Sequence, residues 1–290
     1  MKNFLVFTSN SEHLAKTIGK KPGIGEIVLP EKNKEGKRFF PDNEVYSRLA
    51  KIKKMKQGKV IVLHSGSPCP NDGLLELELI LQILKDKSIK PEVFFAYFPY
   101  SQQDKVFQEG ETNAAENLIK KLINYYGVKK IYGIDLHFWG RNWARKYPLE
   151  NISAVPVLIN AAEKDFGKNI VFLSPDKGGK RRSGISGLEK ERVDSFEVKM
   201  ASFFGDFEGK TVAIIDDIIE TGGTLAKTYE EIKKAGAKNI IVLASHGILE
   251  KGAERIKKIV SKLYLANTIN LKEANVDISG LIADAFLKRN

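Results

Sequence analysis

Residues 211–228 read TVAIIDDIIETGGTLAKT and carry the most informative pattern in the chain. The first five residues form an apolar run with β-branched members, and Gly205 and Gly209 precede it. Such a run is typical of a strand buried on both faces of a parallel sheet. We expect a loop to follow at once, with Asp216 and Asp217 in it, and then a helical pattern. The stretch therefore predicts a strand, a loop and a helix in that order.

The loop combines groups that bind a phosphate with groups that repel one. Paired glycines let the backbone take positive φ and turn N–H groups inward beside the positive end of the helix, a geometry that holds a phosphate. Carboxylates cannot face that phosphate, so we expect them to accept hydrogen bonds from neutral hydroxyls or to hold a metal. A vicinal diol with a phosphate is a sugar phosphate, and the candidate residues for binding it are Asp216, Asp217, Thr221, Gly222, Gly223 and Thr224. An ordinary turn with solvated acids is the alternative, but it does not explain an acidic pair followed by TGGT.

The composition limits the class of protein and its partners. A length of 290 residues suits two domains that each bury a core. Lys and Arg number 47 against 36 acids, a formal net charge of +11, but the lysines lie in short groups spread over amphipathic segments. This dispersed charge argues against a nucleic-acid partner, and the dense patch at 177–182 suits a small polyanion. The single cysteine and the lack of a run approaching ~20 apolar residues predict a cytoplasmic protein without a membrane span.

Strand patterns alternate with helix patterns along the whole chain, which predicts an α/β fold with mostly parallel sheets flanked by helices. Residues 58–63 with the loop, helix and strand that follow parallel residues 209–214 with theirs, so the two halves look like a degenerate repeat. Only the second copy keeps the acidic pair and TGGT. We therefore predict two tandem domains, residues 1–147 on the nucleotide side and residues 148–290 with the sugar-phosphate loop.

Polar sets follow several of the predicted strands, where ligands of parallel sheets bind. They are Phe40–Glu44, Tyr100–Lys105, Asp135–His137, Ser174–Gly179 and Thr221–Thr224. In order and spacing this series resembles ribose-phosphate diphosphokinase, also called phosphoribosyl pyrophosphate synthetase, and the last set resembles the phosphoribosyl-binding signature of the type I phosphoribosyltransferase fold. The resemblance implies an enzyme that transfers the β,γ-diphosphoryl group of ATP to the C1 hydroxyl of ribose 5-phosphate and releases AMP.

The same resemblance implies roles for single residues. An adenine-binding loop would contain Phe40, Asp42 and Glu44 and would complete a site across a subunit interface, which implies a homodimer or a larger homo-oligomer. The rest of the ATP site would contain Gln102, Gln103, Asp104 and Lys105. Mg²⁺ would be held by His137 and Asp176 with Asp135 nearby, although His137 alone is a poor indicator because Mg²⁺ prefers oxygen ligands. Lys190 and Arg192 would be the catalytic cations, and a solvated charge run on a helix is the alternative for them.

Three residues depart from the pattern of the family. Gln102 stands where the family usually has arginine, Glu191 replaces the middle cation of the catalytic loop, and Glu220 replaces aspartate. Losing an arginine removes a charge-assisted bond to phosphate. A catalytically silent paralogue that regulates an active enzyme is therefore a second hypothesis. A phosphoribosyltransferase, or an RNA-binding regulator of that fold, is a third, and the duplicated half argues against it.

Overall fold

A computed structural model describes residues 2–175, 190–192, 198–200 and 207–287. These residues form two compact units. The first unit contains residues 2–152, 268–270 and 279–287, and the second contains residues 153–267 and 271–278 as far as they are described. The chain thus leaves the first unit after residue 152, returns to it briefly at residues 268–270, and returns again at residue 279.

The first unit is built on a six-stranded parallel sheet with the strand order β2-β1-β3-β4-β5-β6. Its strands are β1 (Lys2–Phe7), β2 (Glu26–Val28), β3 (Gly58–Ser65), β4 (Glu92–Tyr97), β5 (Ile131–Ile134) and β6 (Leu149–Ile152). Its helices are α1 (Glu12–Ile18), α2 (Ile52–Met55), α3 (Pro70–Asp86), α4 (Ala114–Asn124) and α8 (Ser279–Leu287), with 3₁₀ turns at Ser9–Ser11 and Asn142–Lys146. Because every strand pair is parallel, the carboxyl ends of all six strands lie at one edge of the sheet.

The core of this unit follows directly from two sequence periodicities. Val60 and Val62 on β3 are buried on one face, as alternation along a strand requires. On α3, Leu77, Ile80, Leu81 and Leu84 recur every three or four residues and pack into the same cluster. These residues are fully buried, so the helix is held by its apolar stripe.

The second unit has a four-stranded parallel sheet with the order β12-β11-β10-β7. Its strands are β7 (Ile170–Leu173), β10 (Thr211–Ile219), β11 (Asn239–Gly247) and β12 (Lys262–Leu265). Its helices are α5 (Val155–Phe166), α6 (Gly223–Lys234) and α7 (Glu250–Ile259). Two further strands, β8 (Lys190–Arg192) and β9 (Val198–Met200), pair with each other in antiparallel register.

The structure confirms the predicted α/β class and moves two boundaries. The first unit continues to Ile152 rather than to Tyr147, because β6 pairs with β5 and completes the sheet. The helix α8 also belongs to the first unit, where the ring of Phe286 packs edge-on against Phe94 at 5.6 Å. The last helix is thus grouped with residues 2–152 and not with the residues that directly precede it in the sequence.

Within the described residues, no helix is both long enough and apolar enough to cross a membrane.

Candidate active site

The predicted phosphate loop of the second unit has the geometry of an anion site. Gly222 is buried, with φ of +72°, and directly precedes the 12-residue helix α6. That left-handed conformation is one that glycine adopts without strain. Gly222 has no side chain with which to cap the helix, and the N–H of Gly223 makes a long hydrogen bond of 3.4 Å to the hydroxyl oxygen of Thr221. The first N–H groups of a helix point out of its end, where an anion can bind them. Thr221 and Thr224 flank this end and are exposed.

Helix α7 supports this loop from behind. A Cβ atom on Gly252 would lie 1.8 Å from the carbonyl oxygen of Glu220, so only glycine permits the approach. A Cβ on Gly222 would in turn lie 3.0 Å from Cγ1 of Ile256 on the same helix. The N–H of Ile248 donates to the carbonyl of Ile219 at 2.8 Å and fixes the chain that leads into α7. The backbone of the loop is thus held by close packing.

The acidic pair lies within a strand, which corrects the prediction of a loop. β10 continues to Ile219, and its extension pairs with β11 through Asp216↔Ala244 and Ile218↔His246, whereas its pairing with β7 runs from Thr211 to Ile214. Successive side chains on a strand point to opposite faces, so the two acids are not equivalent. Asp217 is 7% exposed, while Asp216 is half-buried and its Oδ1 accepts the N–H of Asp217 at 3.0 Å.

In the first unit, the predicted adenine loop is a tight turn. Phe39 and Val45 form an antiparallel bridge, and the N–H of Phe40 donates to the carbonyl of Glu44 at 2.8 Å. Phe40 is 42% exposed, and Asp42 and Glu44 are exposed as well. An aromatic ring and two carboxylates are therefore presented together at the surface of this unit.

A buried charge cluster anchors the base of that turn. Glu76 on α3 is 3% exposed and accepts hydrogen bonds from the N–H of Ser9 at 2.8 Å and from its hydroxyl at 2.9 Å. Arg38, the residue before the turn, forms ion pairs with Glu76 at 3.3 Å and with Glu12. Burial raises the pKa of Glu76, although Ser9 and Arg38 both act to lower it. A cavity of about 170 Å³ opens beside this cluster, with Cys69 and Asp72 also in its wall.

The predicted nucleotide loop follows β4 and turns sharply. Tyr100 has φ of +57°, and the N–H of Gln103 donates back to the carbonyl of Tyr100 at 3.0 Å. Gln102, Gln103 and Lys105 are exposed, and the ammonium of Lys105 lies 4.4 Å above the ring of Phe107. These three side chains are accessible to a ligand.

Asp104 differs from its neighbours in this loop. It is 2% exposed, and Arg141 donates to both of its carboxylate oxygens, from Nε at 2.6 Å and from Nη2 at 3.1 Å. The indole N–H of Trp143 donates to the main-chain carbonyl of Asp104 at 3.0 Å. The carboxylate is thus bound by a protein partner, in contrast to the exposed side chains on either side of it, and its role as a ligand of the nucleotide stays a prediction. Sequence reasoning missed Arg141 because nothing local links it to an aspartate 37 residues earlier.

The exit of β5 supplies two of the predicted metal ligands. Asp135 is 7% exposed and has φ of +36°, and its N–H donates to the carbonyl of Ile152 at 3.0 Å. The next N–H, of Leu136, donates to Oδ1 of Asn151 at 2.7 Å. His137 follows and is half-buried. The carboxylate oxygens of Asp135 are of the ligand type that Mg²⁺ prefers, so this exit fits such an ion better through Asp135 than through the imidazole.

Three predicted site residues remain, of which one is not described by the structure and two are described only in their backbone. Asp176 falls outside the described residues. Lys190 and Arg192 are described by their backbone alone, as the two ends of the short strand β8. The alternative of a charge run on a helix is therefore wrong for these residues.

Two units that each have a parallel sheet flanked by helices define an α/β protein. Comparison with known proteins gives the family. Residues 179–278 match the family model described as phosphoribosyl transferase domain. Residues 4–127 match the N-terminal domain of ribose phosphate pyrophosphokinase. A ribose-phosphate pyrophosphokinase from Pyrococcus abyssi is 33% identical over 96% of this chain and 96% of its own length. The Pyrococcus furiosus protein of the same name is 34% identical over 94% of this chain and 97% of its own.

A solved structure agrees with these relatives on the fold. The crystal structure of phosphoribosylpyrophosphate synthetase from Mycobacterium smegmatis matches 99% of this chain and 98% of its own, with a TM-score of 0.81 at 23% identity. The chain belongs to the ribose-phosphate pyrophosphokinase family of enzymes. This confirms the family and the tandem fold that the sequence motifs predicted.

Proposed function

We propose that this protein transfers the β,γ-diphosphoryl group of ATP to the C1 hydroxyl of ribose 5-phosphate, forming 5-phosphoribosyl 1-diphosphate and AMP. One observation carries the proposal in a chain of this family. A strand with two acids leads into a glycine in the left-handed conformation, and the start of α6 follows directly, with only a long hydrogen bond of 3.4 Å from the N–H of Gly223 to the hydroxyl of Thr221. That arrangement offers N–H donors for a phosphate and carboxylates for hydroxyls within a few residues.

In this proposal the second unit binds ribose 5-phosphate. The 5-phosphate lies at the N–H groups of Gly222, Gly223 and Thr224, where the partial positive charge of α6 favours an anion. Because Asp216 and Asp217 point to opposite faces of β10, one of the two carboxylates accepts hydrogen bonds from the ribose hydroxyls, and we assign this role to Asp217. Because the backbone of these residues is held by β11 and α7, the sugar meets a site that needs little ordering on binding.

The first unit binds ATP in this proposal. Gln102, Gln103 and Lys105 are accessible to the phosphates or the ribose of the nucleotide. Phe40, Asp42 and Glu44 are presented together at the surface. There they suit contact with the adenine ring of an ATP molecule that is bound to a second copy of the chain. The protein is then a homodimer or a larger homo-oligomer, working in the cytoplasm.

The transfer itself depends on charge more than on covalent chemistry. The C1 hydroxyl oxygen attacks the β-phosphorus and its proton passes to the solvent. The bond between that phosphorus and the oxygen bridging it to the α-phosphate breaks, and AMP leaves with that oxygen. Mg²⁺, for which Asp135 and His137 are the candidate ligands in the first unit, would neutralise the charge of the diphosphoryl group. Lys190 and Arg192 stabilise the charge that spreads over the transferred group in the transition state.

The test is AMP formation from ATP by the purified protein with Mg²⁺, measured with ribose 5-phosphate, with ribose and without sugar. We expect AMP and phosphoribosyl diphosphate only with ribose 5-phosphate, since ribose lacks the group that binds at α6. Absence of AMP with every common nucleoside triphosphate would contradict the proposal. The departures at Gln102, Glu191 and Glu220 would then favour a regulatory paralogue, which should still assemble with an active enzyme of the family.

A further inference from the structure

We propose that Arg141 is a positioning residue of the nucleotide site, which ties the loop of residues 100–105 to the exit of β5 by binding Asp104. The inference rests on the proposed function, because it assigns the two segments that Arg141 joins to one substrate and its metal. It goes beyond that function by naming a residue that acts on the substrate and the metal indirectly, through the positions of the two segments that bind them.

The first step is the strength of the contact. Arg141 donates two N–H groups to the two oxygens of one carboxylate, a fork geometry that fixes direction as well as distance. The carboxylate is 2% exposed and the arginine side chain 30% exposed, so water screens the pair little on the aspartate side. The indole of Trp143 holds the carbonyl of Asp104 in addition. One short segment therefore binds both the side chain and the main chain of a single loop residue.

The second step is what the loop carries. Gln102 and Gln103 stand immediately before Asp104, and Lys105 stands immediately after it, all exposed. The carbonyl of Gln103 accepts the N–H of Ala115 at 3.1 Å, which holds the loop from the side of α4. Asp104 is buried between these exposed side chains, as Ser101 is just before them, and Asp104 is the one of the two that Arg141 binds. Their positions therefore depend on Arg141.

The third step is what lies on the other side of the contact. Arg141 follows the candidate metal residues Asp135 and His137 by a few positions, and its own N–H donates to the carbonyl of Phe138 at 3.0 Å. The ring of Phe138 packs edge-on against Phe98 at 5.0 Å, close to the start of the nucleotide loop. A polar contact and an aromatic contact thus join the segment after β5 to the segment after β4. The Arg141–Asp104 pair is the more exposed of these two contacts.

The experiment compares Arg141→Ala and Arg141→Lys with Arg145→Ala, a control whose side chain is exposed and which lies in the 3₁₀ turn that directly follows Arg141. Hydrogen exchange of the loop is measured without nucleotide, and KM is measured separately for ATP and for ribose 5-phosphate. We expect faster exchange at Gln103 and a KM for ATP raised about tenfold or more in Arg141→Ala. The KM for ribose 5-phosphate should stay within about twofold, because that sugar binds at the second unit. Arg141→Lys should fall between Arg141→Ala and the wild type, because lysine keeps the charge and loses the fork.

Two results would overturn the inference. Unchanged loop exchange with an unchanged KM for ATP would show that the contact positions nothing, and equal rises in both KM values would show a general loss of structure. If the wild type forms no AMP, the proposed function fails, but calorimetric binding of ATP to the same variants still decides this inference. Loss of ATP affinity in Arg141→Ala and not in Arg145→Ala supports it, and equal affinity, or a wild type that binds no ATP, refutes it.

Discussion

Gly252→Ala tests how the sugar-phosphate loop is held. The added Cβ would lie 1.8 Å from the carbonyl oxygen of Glu220 and 2.8 Å from its carbonyl carbon. Ordinary contact begins at 3.4 Å, so the oxygen is 1.6 Å too close. Both neighbours are backbone atoms and cannot rotate away. Either α7 or the loop of residues 220–224 has to move.

The size of the effect follows from that overlap. Overpacking of a close contact costs about 1–3 kcal/mol of the free energy of unfolding. A displacement of about 1 Å at a binding site lowers the rate by roughly 100-fold where positioned groups carry the catalysis. We therefore expect Gly252→Ala to lower stability and to raise the KM for ribose 5-phosphate at least tenfold, an effect of about 1.4 kcal/mol.

The matched control is Gly280→Ala in the first turn of α8. No atom lies within 4 Å of a Cβ there, so alanine should be neutral or stabilise the protein by about 0.5–1 kcal/mol. The assay is urea unfolding together with KM for both substrates of each variant. If Gly252→Ala binds ribose 5-phosphate as tightly as Gly280→Ala does, the loop does not depend on α7 and the reasoning is refuted.

Three further predictions follow from the site and the core. Asp217→Asn should raise the KM for ribose 5-phosphate by more than that for ATP, because the carboxylate accepts from sugar hydroxyls; steady-state kinetics with each substrate varied checks this, and unchanged sugar affinity would exclude the role. Lys190→Ala should lower kcat by orders of magnitude and leave the binding of ribose 5-phosphate nearly intact; an equal loss of binding, measured by calorimetry, would remove its transition-state role. His64 is fully buried, and burial lowers its pKa from 6.5 to about 3. Between these two pH values the unfolded state binds a proton that the folded state does not. The free energy of unfolding should therefore fall by about 1.4 kcal/mol per unit as the pH is lowered from 6.5 toward 3. Urea unfolding across this range should show a shallower slope in His64→Gln, and an equal slope would contradict the assignment.

Much of the fold could be predicted from apolar runs alone. The runs at residues 211–215, at β4 and at β5 form strands of parallel sheets. Both faces of such a strand are buried, so its residues are apolar one after another and the strand can be recognised in the sequence. Helix α8 gave no such signal for its unit, since the side chain of Phe286 packs against Phe94, a partner far away in sequence. Long-range packing of this kind leaves no local pattern.

In the candidate site too, features that depend on the local sequence could be predicted, and features that depend on a distant partner could not. The glycine pair predicted the left-handed turn at Gly222, because backbone geometry there depends on the residue itself. The acids were predicted in a loop, yet pairing with β11 extends β10 past them, and strand pairing depends on the partner. Asp104 was predicted to face the nucleotide, and only the three-dimensional structure shows that Arg141 binds it.

The return of the chain to its first unit has a consequence for biosynthesis. Residues 2–152 leave the ribosome early, but α8 packs against α1 and Phe94 only after residues 279–287 have been made. Until then the newly made chain exposes apolar surface that α8 later covers, a state prone to aggregation in which chaperones act. The two halves of this enzyme are therefore not separable genetic modules: a truncated chain that stops after the second unit's last strand lacks part of the first.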